Sequence, residues 1–155
     1  MADAAAQAVL AKNEPIDRLL HVVMTEFNPS GFSIRSELSK DFIRRMEQTP
    51  DVQLYVVELA YPGQDFQITD PSKPTHLQLR TTDVMWSKEN LINIAAQKLL
   101  PSNWRAMEWI DSEVWFDDPH WAGNTLRMLN TFGITQVRAA IGCTESVGRV
   151  GEALE

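Results

Sequence analysis

Apolar and polar positions change period along this chain in an order that predicts alternating strands and helices. Residues 18–27, RLLHVVMTEF, form a short apolar run rich in β-branched side chains, closed by the turn signal NPSG, which is the pattern of a buried strand. Residues 33–48 then place Ile34, Leu38, Phe42 and Met46 four apart, with Ile43 widening the stripe and Arg and Glu on the other side. That spacing predicts an amphipathic helix with Ser33 as its N-cap. Residues 52–61, VQLYVVELAY, read as a second strand stopped by PGQD, and a loop over 66–74 leads to a shorter third strand at 75–82. A second helix over 87–100 has Ser87 as cap, Leu91, Ile94, Ala95 and Lys98 or Leu99 on one face, and Pro101 as its stop. A fourth strand over 104–116 follows. The last helix has Asp118 as N-cap, Pro119 at its first position and Gly133 just past its end. His21, Trp109 and Trp115 are expected in the core.

The order strand, helix, strand, strand, helix, strand, helix predicts an α/β fold, an open and mostly parallel sheet with helices on both faces. This domain spans 17–135, after a leader over 1–16 that is helical or disordered. The tail over 136–155, punctuated by Gly142, Gly148 and Gly151, is expected to give one weak strand and a poorly held end.

Composition narrows the function classes. With 155 residues and 44% hydrophobic side chains, the chain can bury one ordinary core. A formal charge of −7 argues against general binding to nucleic-acid backbones, which requires a basic surface to displace counterions. The single cysteine, Cys143, forms no internal disulfide and fits a reducing, cytoplasmic setting. No apolar run approaches the roughly 18 residues of a membrane span.

The densest chemistry lies in EWIDSEVWFDDPHW, residues 108–121. If the fourth strand stays extended here, Asp111 and Glu113 point to one side of the sheet. Two carboxylates aimed at one point repel each other unless a cation lies between them. Mg²⁺ or Mn²⁺ accepts one or two carboxylates and completes its shell with phosphate and water oxygens. In open α/β sheets the ligand crevice lies outside the carboxyl ends of the strands, where this pair falls. The plainer reading is a solvated strand end, with Asp118 as a helix cap and Asp117 its exposed neighbour.

The segment WIDSEVWFDDPHWA, following KENLINIAAQKLLPSNW, resembles the centre of family 2-like nucleotide-sugar glycosyltransferases of the GT-A fold. In that family an aspartate-x-aspartate motif ends the strand after the nucleotide-binding region. The likeness reaches back to LLHVVMTEFNP and LYVVELAY and covers residues 17–130. It implies a Rossmann-like sheet, a nucleoside diphosphate sugar donor, a sugar or glycan acceptor, and Mn²⁺ or Mg²⁺ as cofactor. By the same resemblance, Thr25, Phe27 and Asn28 in the turn after the first strand would cup the nucleoside. Glu58 would reach the base or ribose, and Lys88 and Asn90 would sit near the nucleotide. Asp111 and Glu113 would stand for the two aspartates, touching ribose and metal.

Each of these residues also has a structural reading. Glu58 reads more simply as a strand-end carboxylate, Lys88 as part of a solvated first helical turn, and Asn28 as a turn residue before Pro29. The five tryptophans suggest carbohydrate stacking or ordinary packing, and His120 is either a ligand or an exposed helix-start residue. Glu113 departs from the family motif by one methylene. No counterpart of the family's acceptor region, with its catalytic base, follows the last helix, so the chain is expected to be truncated after the motif strand and helix. Two readings therefore stand: a metal-dependent glycosyltransferase, or a non-catalytic nucleotide-sugar module that needs a partner chain or self-association for its acceptor half. A metal-assisted phosphohydrolase is a third.

Overall fold

Strands β1 (Leu20–Phe27), β2 (Val52–Ala60), β3 (His76–Arg80) and β4 (Met107–Trp109) pair in parallel, in the order β3-β2-β1-β4. They belong to a computed structural model that describes residues 18–137 and 140–141. Helix α1 (Ser33–Glu47) links β1 to β2, α2 (Lys88–Lys98) links β3 to β4, and α3 (Trp121–Thr131) follows the sheet. A short antiparallel pair, β5 (Val114–Trp115) with β6 (Ala140–Ile141), lies apart from the four-stranded sheet.

The helices cover both faces because β1 and β2 are apolar on both. Leu20, Val22 and Met24 of β1 pack with Phe42 and Met46 of α1 and with Trp121 and Leu126 of α3. The alternate residues Val23, Tyr55, Val57 and Leu59 pack on Leu91 and Ala95 of α2. Side chains alternate across a strand, so a strand enclosed on both sides carries an unbroken apolar run, as 18–27 does. Each fully buried side chain of this kind contributes roughly 1.5–3 kcal/mol.

Local chemistry moves several predicted boundaries. Helix α1 has Phe32 at its N-cap position, and no side chain caps it. The preceding turn is held instead by Asn28, whose Oδ1 accepts the Phe32 N–H at 3.2 Å and whose Nδ2 donates to the Phe32 carbonyl at 2.8 Å. Gly31 closes that turn at φ +67°, a conformation that favours glycine, and donates its N–H to the Asn28 carbonyl at 3.0 Å. The buried stripe of α1 is Ser39, Phe42, Ile43 and Met46, while Ile34, in the first turn, is 51% exposed. Helix α3 begins at Trp121 behind His120, and Asp118 acts earlier, accepting the His120 N–H at 2.8 Å.

The fourth strand differs most from its predicted span of 104–116. β4 pairs with β1 only over His21–Val23, and the Ile110 N–H to the Val23 carbonyl, 3.1 Å, ends the ladder. The chain then turns over residues 111–114, with the Val114 N–H on the Asp111 carbonyl at 3.1 Å, before β5 begins. Trp109 and Trp115, expected in the core, are 58% and 39% exposed. The core tryptophan is Trp121, stacked on Phe116 with ring centroids 3.9 Å apart. His21 is buried as expected, with its Nδ1 3.0 Å from the Tyr55 hydroxyl.

Residues 1–16 and most of the predicted tail lie outside the described residues; within the tail, β6 is the strand that is described. Among the described residues no helix is long and apolar enough to cross a membrane.

Candidate functional site

The strand order creates one topological switch point. The chain proceeds outward from β1 through β2 to β3, and α2 then carries it back across the other face to β4, on the far side of β1. The strand order thus reverses between β1 and β4, and the crevice outside their carboxyl ends is the expected ligand position in an open α/β sheet.

Two contacts between separate elements involve predicted residues near these ends. Lys88, in the first turn of α2, places its Nζ 2.6 Å and 2.7 Å from the two carboxylate oxygens of Asp111, just past β4. Phe27, at the end of β1, meets the exposed ring of Trp86 edge-on at 5.4 Å, immediately before α2. The Glu89 carboxylate is held below its ordinary range by its own backbone N–H and then by the Trp86 side chain. Glu113 is exposed in the turn after Asp111. Because that turn is not extended, the two carboxylates are joined by turn geometry and not by the alternation of a strand.

Other predicted residues have different surroundings. Thr25 is half-buried on β1, opposite Val57 of β2, and Asn90 is exposed on α2. Asn28 is occupied in closing its own turn, and its carbonyl also accepts Gln64 Nε2 at 2.9 Å. Glu58, 5% exposed, spends its carboxylate on the loop after β2. It accepts backbone N–H groups from Gln67 at 2.6 Å, Ile68 at 3.2 Å and Thr69 at 2.9 Å, and also the Thr69 hydroxyl. Glu58 is thus an anchor for the 67–69 loop. His120 is exposed.

Two carboxylates with unused bonding capacity were not singled out from the sequence. Glu26, adjacent to Glu58 in the parallel register, is 4% exposed; its Oε2 accepts the Ser39 hydroxyl at 2.8 Å, while Oε1 has no hydrogen-bond partner. Burial pushes its pKa up, the Ser39 bond and the Arg35 charge oppose that, and the charges of Glu58 and Glu113 add to it. Glu26 lines a cleft of about 490 Å³ that also includes Ser36, Lys40 and Gln64. Glu108 lies on the face of β4 turned toward α3, in a cavity of about 590 Å³ with Phe116, Thr125 and Val137, and its Oε2 is likewise unpartnered. Burial pushes its pKa up to about 7. The available signal was a carboxylate inside an otherwise apolar strand.

Glu108 makes stability depend on pH. Its folded-state pKa, about 7, lies above the ordinary 4.5, so its stabilising effect is complete below pH 4.5 and is lost as pH rises toward 7. Glu108→Gln is therefore expected to raise the unfolding free energy at pH 8 by on the order of 2 kcal/mol and to change it little at pH 4. Urea denaturation of both proteins at the two pH values measures this, and equal differences at both would refute it.

Among the described residues no group of three or more His, Cys, Asp or Glu side chains could hold a metal ion. The two carboxylates of Asp111 and Glu113 fit a hard cation only as a partial shell, completed by oxygens from a bound ligand. Comparison with known proteins adds no relative to this geometry: no family model matches the chain, and no curated protein or solved structure matches it.

Proposed function

We propose that the chain binds a nucleoside diphosphate sugar in the crevice at the carboxyl ends of β1 and β4 and acts as a metal-dependent glycosyltransferase. The observation that carries the reading is the pairing of Lys88 with Asp111, just past β4 in a β3-β2-β1-β4 sheet, with Trp86, two residues before Lys88, packed on Phe27 at the end of β1. An ammonium group at the start of a helix is a suitable partner for a diphosphate, and the aromatic pair offers a face for a base or sugar ring. Asp111 and Glu113 would hold Mn²⁺ or Mg²⁺ together with the diphosphate. When bound, that cation supplies charge neutralisation for the departing nucleoside diphosphate. Lys88 neutralises Asp111 in the present arrangement and carries the charge that complements a phosphate.

The test is calorimetric titration with UDP and with GDP, each with and without Mn²⁺. Binding that requires the metal is expected for at least one nucleotide. No binding in any of the four conditions would reject the reading.

A second reading, a nucleotide-sugar module completed by a partner chain or a second copy, is favoured by the exposed edge at β4. β4 ends the four-stranded sheet, and its Trp109 is 58% exposed there. Analytical ultracentrifugation separates the two: self-association that Trp109→Ser abolishes would support the module, and a monomer at all concentrations would remove the self-associating form of it.

A further inference from the structure

The turn that carries Asp111 and Glu113 is held from its far side by a residue of α1. Arg45 donates from Nη1 to the Val114 carbonyl at 3.1 Å, and its guanidinium carbon lies 3.8 Å from the centre of the Trp115 ring. Its Nε donates to Asp41 Oδ2 at 3.0 Å, one helical turn earlier, which fixes the direction of the fork. Partial burial pushes the Asp41 carboxyl up, but the hydrogen bonds and charges of Arg44 and Arg45 together hold it below its ordinary pKa. Arg45 is about one-fifth exposed, so the stacked, hydrogen-bonded guanidinium is shielded from much of the solvent that weakens surface pairs.

On the near side the same turn is held by Lys88 of α2, through Asp111. α1 and α2 lie on opposite faces of the sheet. The acidic turn is thus suspended between one cation from each layer, while β4 supports it through only three paired residues. A side chain such as lysine could supply the charge at position 45, but not the planar stack on Trp115 together with the forked bonds to Asp41 and Val114.

We propose that Arg45 is a positioning residue that sets the conformation of the 111–114 turn and so the mutual placement of the Asp111 and Glu113 carboxylates. Its effect on ligand binding rests on the nucleotide-sugar reading; its effect on the turn does not. Two measurements on Arg45→Ala, Arg45→Lys and Trp115→Leu separate these. Amide hydrogen exchange is expected to accelerate at Val114 and its neighbours in all three variants, with the β1 and β2 amides unchanged. Mn²⁺-dependent affinity for UDP or GDP is expected to fall about tenfold, as for loss of other outer supports of a metal site, while metal-free affinity stays constant. Exchange that rises across the whole sheet, or full recovery in Arg45→Lys, would mark a merely structural side chain and overturn the proposal. Unchanged exchange at Val114 in Arg45→Ala and Trp115→Leu would overturn it as well. If the wild type binds neither nucleotide, the functional reading falls and the exchange result alone decides the role of Arg45.

Discussion

Glu58→Ala is expected to lower the unfolding free energy by about 3 kcal/mol, since it strips the acceptor from three loop N–H groups and one hydroxyl at a nearly buried position. Urea denaturation at neutral pH measures the loss. The orphaned donors belong to Gln67, Ile68 and Thr69, and Ile68 itself packs into the core formed with Met24, Phe42 and Val56. Detaching the loop therefore also frees apolar surface. Glu58→Gln keeps one acceptor oxygen and is expected to cost less. The family resemblance instead implies contact between Glu58 and the base or ribose. A change below about 0.5 kcal/mol, the range of ordinary surface substitutions, together with lost nucleotide affinity would return Glu58 to that role.

Asp111→Asn is expected to weaken Mn²⁺-dependent nucleotide binding by at least the roughly 10–100-fold that follows loss of an outer support of a metal site. Stability should change by less than about 1 kcal/mol, because Asp111 is 56% exposed and surface ion pairs contribute little. Removing the carboxylate also releases the Lys88 ammonium. Metal-free affinity for a diphosphate is therefore expected to hold or rise while the metal-dependent part disappears. Titration of both proteins with and without Mn²⁺ reads the two components separately. Equal metal-dependent affinities would remove Asp111 from the site, and a parallel fall in both components would mean that Asp111 acts by holding Lys88 in place and not by holding a metal.

The candidate site was partly legible along the chain. Asp111 was singled out by its position at a strand end and Lys88 by the family resemblance, and the structure joins them directly. Phe27 was singled out for the turn after β1, and its contact with Trp86 belongs to tertiary packing. Glu26 and Glu108 each interrupt an apolar strand, a pattern that shows a buried carboxylate without showing what surrounds it. Arg45 gave no such sign: on the helix pattern it is one more charged residue on the polar side, yet it reaches across to Val114 and Trp115.

The pattern of apolar residues by itself determined the fold class and the element order. A strand enclosed on both faces and a helix enclosed on one have different hydrophobic periods, and those periods are local properties of the chain. Tertiary structure alone decided where β4 ends, because a strand lasts only as long as its neighbour offers backbone partners, and β1 offers them to β4 only at His21–Val23 and at the Val23 carbonyl. It also decided that Glu58 serves its own loop while Glu26 bonds Ser39 of α1 and faces Arg35 at 3.7 Å. Both sit at equivalent positions on adjacent parallel strands, and only the segment folded over each carboxylate distinguishes one that takes four loop donors from one that takes a single helix hydroxyl.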